Sequence, residues 1–176
     1  ADDLEKLADA AEKANQIAGS ASLELKAFPD NRMDSVDLLD VVKVVEAYLA
    51  THRPTIVYTH LPNDVNVDHR ITHEAVVTAC RPIPGHTVQT LLFFETASST
   101  EWQTAPRGGF VPNWFVDIST SIDRKLAALE AYSGEMRQWP HPRSLEAVAN
   151  QARYRGASVG VEAAEAFLLG RRIVGR

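Results

Sequence analysis

The sequence predicts an α/β fold with a mostly parallel sheet. Three observations predict it. Runs at Thr55–His60, Val88–Phe94 and Trp114–Ile118 are rich in β-branched, apolar and aromatic residues and have strand length. Segments between and around these runs place apolar residues at helical spacing, as in Leu38, Val42, Val45 and Leu49. The joints are polar or rich in Pro and Gly, with no repeat, low-complexity tract or interdomain linker.

Taken in order, residues 2–18 put Leu4, Leu7, Ala8, Ala11, Ala14 and Ile17 on one face, an amphipathic helix ended by Gly19. Ser22 to Phe28 alternates Leu23, Leu25 and Ala27 with polar residues, which predicts a strand. Pro29-Asp30-Asn31-Arg32 is a turn, and Asp34 or Ser35 is placed to cap the helix of Leu38 to Leu49, which ends before Pro54. The Thr55–His60 strand then runs into a polar loop, Leu61 to Asp68, and a helix begins near Asp68 or His69, carrying Ile71, Ala75 and Ala79. That helix breaks at Pro82 and Pro84.

The Val88–Phe94 strand leads to Glu95-Thr96-Ala97-Ser98-Ser99-Thr100-Glu101-Trp102, and a Pro/Gly-rich loop follows. Trp114–Ile118 is a short strand, and Ser119 or Thr120 caps a helix through Ile122, Leu126, Leu129 and Tyr132. Pro140-His141-Pro142-Arg143 is a rigid polar loop, Ser144 caps the helix beyond it, and Glu162–Leu169 is read as a last short helix. The chain opens on a helix, so the first βα unit of such a sheet is expected to be missing from these residues.

Composition narrows the class. A chain of 176 residues, 45% hydrophobic and 23% charged, suits one soluble domain spanning 1–176. A net charge of −5 without a basic cluster argues against nucleic acid as a partner. No apolar run approaches the roughly 18 residues of a membrane span, and the charged start is no signal peptide. The single Cys80 excludes an internal disulfide and fits a reducing, cytoplasmic compartment. A homo-oligomer is compatible with all of this.

The chemistry concentrates where strand, polar loop and helix start meet, the place where open α/β sheets hold ligands. Asp64-x-Asn66-x-Asp68 resembles the start of a calcium loop, but His69 stands where Gly is needed and Ala75 where Glu is needed. His69 and His73 have the i, i+4 spacing of paired zinc ligands, though Arg70 replaces the Glu of the protease motif. His73 is alternatively a surface or supporting residue, and an Asp beside His69 can orient the loop or the ring. Arg32 reads as a clamp for an anion or sugar hydroxyl, or as a solvated turn charge. His60 ends the strand and reads as a buried, hydrogen-bonded residue. Glu95 ends the second strand at the same edge. Ser98, Ser99 and Trp102 suit a carbohydrate pocket or a capped loop with a packed indole. His141, held between two prolines, suits a site or a tight turn.

Several of these residues, taken in order, carry a resemblance. Phe28-Pro29-Asp30-Asn31-Arg32, then Thr59-His60 with Asp64-x-Asn66-x-Asp68-His69-Arg70, then Glu95 with Ser98-Ser99-Thr100-Glu101-Trp102, resembles the PIG-L/LmbE-like zinc-dependent N-deacetylases. Pro140-His141-Pro142-Arg143-Ser144, Arg155-Gly156 and Ala164-Glu165-Ala166-Phe167 look like the C-terminal part of a bacterial branch. The resemblance implies a Rossmann-like three-layer fold, one catalytic Zn2+, and hydrolysis of the N-acetyl group of an amino-sugar-containing small molecule. It makes His69 a metal ligand and Asp68 and Asn66 catalytic-site residues, Asn66 standing where relatives carry a His that assists at the oxyanion. It makes Arg32 a substrate-binding residue. Asp30, Glu95, Ser99, Trp102 and His141 join it as expected substrate-side residues. The family's other two zinc ligands and its general base belong to a His-Pro-Asp-Asp motif, and Ala1-Asp2-Asp3 lacks the strand and Gly-rich turn that frame it. The chain is therefore expected to start downstream of that motif, and residues 1–176 alone to bind zinc poorly and lack turnover. The alternative from another class is a non-catalytic Rossmann-like module that binds a carbohydrate or other small ligand.

Overall fold

The structure, a computed structural model, describes residues 2–104 and 108–175. Ala105, Pro106 and Arg107 of the Pro/Gly-rich loop, and Ala1 of the Ala1-Asp2-Asp3 stretch, lie outside the described residues. Among the described residues, five α-helices and four strands follow one another: α1 (Asp2–Ala18), α2 (Leu38–His52), β1 (Ile56–His60), α3 (Val67–Ala79), β2 (Thr90–Phe94), β3 (Trp114–Asp117), α4 (Ile122–Glu130), α5 (Leu145–Ala157) and β4 (Ala164–Arg172). The α/β class is as the sequence predicts. The sheet has the order β1-β2-β4-β3. β1 and β2 are parallel, with His60 opposite Phe94, whereas β2 and β4 are antiparallel, with Phe94 opposite Phe167. The sheet is therefore mixed.

Two compact units make up the chain, one formed by Ala1–Ala27 and Phe115–Glu165, the other by Phe28–Trp114 and Ala166–Arg176. In the first, α4 packs on both α1 and α5. Ser144 caps α5 as predicted, its hydroxyl accepting from the Ala147 N–H at 3.0 Å. A Cβ on Gly156 would come within 2.6 Å of the Val161 carbonyl oxygen, so α5 meets the following segment only because this residue has no side chain.

The second unit carries the candidate site. α2 and α3 pack together over one face of the sheet. Val41, Val42 and Leu49 of α2, Ala75, Val76 and Ala79 of α3, and Leu91 of β2 form its core with Met33, Cys80 and Val88. Val57 and Phe93, in register on neighbouring strands with Leu91 and Thr59, close it from the sheet side. Burying a side chain such as Leu91 contributes about 1.5–3 kcal/mol. Cys80 is fully buried at the end of α3, and burial pushes its thiol up to about 11. The Cys80 carbonyl accepts a hydrogen bond from the Arg171 guanidinium of β4.

Two sequence readings are corrected. Ser22–Phe28 is not a strand: no ladder forms there among the described residues, and Leu23 and Leu25 are exposed. Alternation defines a face, but a strand also needs a partner for its backbone groups. Glu162–Leu169 is not a helix. Its residues enter β4, where Phe167, Leu168 and Leu169 pair with Phe94, Phe93 and Leu92. Ladder bonds and the burial of Ala164, Ala166 and Phe167 override the helix preference of the Ala/Glu-rich stretch. Smaller shifts concern caps: α2 starts at Leu38 behind a short 3-10 turn at Met33–Ser35, and α4 starts at Ile122 with Ser121 at its N-cap position.

Gly170 of β4 lies under the Phe93 ring, where a Cβ would fall 2.6 Å from the ring carbon Cζ. Phe93 is itself packed against His73, with ring centroids 4.8 Å apart, and the Leu91 carbonyl oxygen would lie 3.3 Å from the same Cβ, so the ring must shift against its neighbours. Gly170→Ala is expected to destabilise the protein by about 1–3 kcal/mol through overpacking, measured as a lowered midpoint in denaturant titration. An unchanged midpoint would show that the ring moves freely.

Candidate active site

The parallel pairing of β1 and β2 brings the ends of both strands to one edge of the sheet. The loop after β1 and the segment after β2 meet there. The loop is tied down from its far side by Asn66, whose side-chain oxygen accepts from the backbone N–H of Asp68 at 2.8 Å and of His69 at 3.3 Å. This is an N-cap, and it starts α3 at Val67. Arg70 adds a second tie, its guanidinium donating to the carbonyls of Asp64 at 2.8 Å and Val65 at 2.6 Å.

At the centre is Asp64, with 0% of its surface exposed. Its Oδ1 accepts from the Asn66 backbone N–H at 3.0 Å, from the Ser99 hydroxyl, and from His69 Nδ1 at 3.0 Å. Its Oδ2 accepts from the Thr100 hydroxyl at 2.8 Å. Burial by itself would raise this carboxyl's pKa, but the bonds from Ser99, Thr100, Asn66 and His69 together hold it below its ordinary value. The group is therefore a carboxylate that only accepts. Nδ1 of His69 must then carry its proton, which leaves the lone pair on Nε2. The His69 side chain is 21% exposed.

Three imidazoles gather at this edge. The His60 ring stacks on His69, centroids 4.2 Å apart and planes at 19°, and touches Phe94 on another side. Its Nδ1 and the neighbouring Thr59 hydroxyl oxygen are buried without a hydrogen-bond partner among the described residues. Burial first, then the nearby His69, lowers the His60 pKa to about 4. His73 is buried one turn along α3, and its Nδ1 donates to the His60 carbonyl at 2.8 Å. Burial lowers its pKa too.

Asp68 faces the other way. Its two carboxylate oxygens accept from the backbone N–H of Asn31 at 2.6 Å and of Met33 at 2.9 Å. Those two bonds bracket Arg32. Asn66 Nδ2 donates to Asn31 Oδ1 at 3.1 Å, and Asn31 adopts the left-handed φ of 52° that lets the turn close. Arg32 is exposed, and its guanidinium has no partner among the described residues. Asp30 is exposed beside it and accepts from Asn31 Nδ2 at 3.2 Å.

The other residues named from the sequence fall as follows. Ser99 is buried and commits its hydroxyl to Asp64. Trp102 is 54% exposed on the short 3-10 turn Thr100–Trp102. Glu95 follows β2 directly and is half-buried. His141 belongs to the first unit, where its Nδ1 accepts from the Arg143 N–H at 3.0 Å. Asp64 and Thr100 stand in the sequence motifs, but the sequence reading gave neither a role in the site. The available signal was an Asp two residues before a capping Asn, together with a hydroxyl pair at the opposite strand end.

The site geometry fits a metal ligand at one residue. A His whose Nδ1–H is held by a buried carboxylate presents Nε2 in the form that binds zinc. Among the described residues no group of three or more His, Cys, Asp or Glu is placed to hold a metal ion.

Acid should weaken this edge. His60 and His73 bind protons less readily folded than unfolded, so between pH 6.5 and about 4 the unfolded chain takes up more protons and stability falls as pH falls. The His60 shift corresponds to roughly 3 kcal/mol. The expected result is a melting temperature that drops steadily across that interval in metal-free protein, with a smaller drop in His60→Gln. A flat profile would show that His60 is solvated and titrates normally.

Comparison with known proteins adds the following. The family model described as PIG-L, GlcNAc-PI de-N-acetylase, matches residues 4–80. That span holds Arg32, Asp64, Asn66, Asp68 and His69. No curated protein matches the chain. Among solved structures, the chain is similar to the conserved protein TT1542 from Thermus thermophilus, with 25% identity, a TM-score of 0.75, and coverage of 98% of this chain and 76% of that one. It is similar in fold to GalB, the 4-carboxy-2-hydroxymuconate hydratase from Pseudomonas putida, with 17% identity, a TM-score of 0.69, and coverage of 98% and 74%. It is also similar in fold to the N,N'-diacetylchitobiose deacetylase from Pyrococcus horikoshii, with 17% identity, a TM-score of 0.67, and coverage of 91% of this chain but 61% of that one. Among the described residues no helix is long and apolar enough to cross a membrane. Residues 4–80 thus match the PIG-L family, the family that the motifs resemble, and the described chain has the fold of these solved structures.

Proposed function

We propose that the protein is a zinc-dependent hydrolase that removes the N-acetyl group of an amino-sugar-containing small molecule and releases acetate. The PIG-L match and the similarity to a chitobiose deacetylase support a deacetylase-type activity. Fold alone does not choose the reaction, because a hydratase shares it. The observation that carries the reading is the bond from His69 Nδ1 to the buried Asp64, inside the segment that matches the family.

When bound, zinc supplies Lewis-acid activation of water and of the acyl oxygen. His69 would hold it through Nε2, and the bond from Nδ1–H to Asp64 fixes the ring's orientation and makes Nε2 the nitrogen available to the metal. Asn66 fixes the first turn of α3, so the ligand does not swing with a fraying helix end. Asp68 holds the Asn31–Met33 turn and thereby sets where the Arg32 guanidinium stands. Arg32 binds polar groups of the substrate by charge-assisted hydrogen bonds. Trp102 offers an aromatic face to a sugar ring, with Asp30 and Glu95 as hydroxyl partners.

His69→Ala in the full-length protein is expected to abolish acetate release from N-acetylated amino sugars and to lower zinc content, with the fold retained by circular dichroism. Wild-type zinc content together with wild-type turnover would remove His69 from the metal.

Arg32→Ala is expected to lower kcat/KM by the equivalent of about 1.5–3 kcal/mol and to leave thermal stability within about 0.5 kcal/mol, as for an exposed surface site. Steady-state kinetics beside thermal denaturation separate the two effects. An unchanged kcat/KM would make Arg32 a solvated turn charge.

A further inference from the structure

The donors that surround Asp64 come from two directions, and the second one has no role in the mechanism above. Ser99 and Thr100 belong to the segment that follows β2, more than thirty residues along the chain from Asp64. The segment is shaped to deliver both hydroxyls. Ser98 takes a left-handed φ of 63°. The Glu101 carboxylate accepts from the Ser98 N–H at 2.6 Å and the Ser99 N–H at 3.2 Å. The Thr96 carbonyl accepts from the Thr100 N–H at 2.9 Å.

The Thr96 N–H in turn donates to the Thr100 hydroxyl oxygen at 2.7 Å. With a lone pair so occupied, the Thr100 hydroxyl points its one proton at Asp64 Oδ2. Among the described residues Thr100 is the only donor to that oxygen. A carboxylate with no exposed surface depends on such bonds to remain ionised. If one is lost, the Asp64 carboxylate is free to turn, and the bond that sets the His69 tautomer goes with it.

We propose that Ser99 and Thr100 are positioning residues for the metal ligand. Acting through Asp64, they fix the tautomer and ring orientation of His69, so seating of the 96–102 segment, with Trp102 exposed at its end, governs metal affinity. The inference rests on the reading of His69 as the ligand and extends it to the segment after β2. Removing the outer partner of a metal-ligating His typically costs roughly 10–100-fold in affinity.

The test uses Thr100→Val and Ser99→Ala in the full-length protein, with Thr100→Ser as the conservative control. Two readouts are taken: ring 15N shifts of His69 in zinc-free protein, and zinc affinity by competition with a chromogenic chelator. Wild type is expected to be the Nδ1–H tautomer, Thr100→Val to mix tautomers and bind zinc roughly 10–100-fold more weakly, and Thr100→Ser to restore both. Should Thr100→Val not fold, Ser99→Ala carries the test by the same readouts; failure of both to fold would return the pair to a purely structural role. A folded Thr100→Val with the wild-type tautomer and affinity, even at lowered melting temperature, overturns the proposal. A wild-type protein that takes up no zinc, while Thr100→Val still shifts the His69 tautomer, refutes the metal reading and leaves the positioning role standing.

Discussion

A carboxylate with no access to water is the constraint on which this site depends. Moving such an ion out of water costs several kcal/mol after all relaxation, and Asp64 offsets it by collecting donors from its own loop, from α3 and from the segment after β2. The loop and α3 are adjacent in sequence, but the segment after β2 is distant from both and would otherwise be an independent surface feature. Because each must be in place for the charge to be tolerated, the charge makes them one cooperative structure. Asp68 does the same at the surface for the Asn31–Met33 turn, at less cost, since water still reaches the turn.

The neighbouring imidazoles show how environment separates identical side chains. His73 spends its Nδ1 proton on a backbone carbonyl and packs on Phe93, so it serves the joint between α3 and β1. His60 is pressed flat against His69 in an apolar setting and stays neutral, which spares the pair a like-charge contact at 4.2 Å. Of the three, only His69 has a ring nitrogen bonded to a carboxylate, and its side chain is partly exposed.

The readable parts of the sequence were those governed by local rules. Helical spacing located α1, α2 and α3 to within a few residues, and the Ser144 cap and the Asp68-His69 helix start follow from side chains acting on adjacent backbone. What escaped was decided by distant partners. β4 looks helical by composition and is a strand because β2 lies beside it, whereas Leu23 and Leu25 alternate like a strand and find no ladder. The sequence places Asp64 in a calcium-like loop and in the deacetylase-like motif but gives it no partner, because nothing local announces that Ser99 and Thr100 will close over it. Ser99 looked like a sugar contact for the same reason: a hydroxyl's partner is not written next to it.

The enclosure of Cys80 has a practical consequence. Its sulfur sits under α2 and α3 with its proton held far above neutral pH, so alkylating reagents and mild oxidants meet no thiolate in the folded protein. Modification requires the core around it to part. The rate at which this thiol is labelled is therefore a clock for opening of the second unit, and it leaves the surface clear for a reporter cysteine placed on the turn or the segment that frames His69.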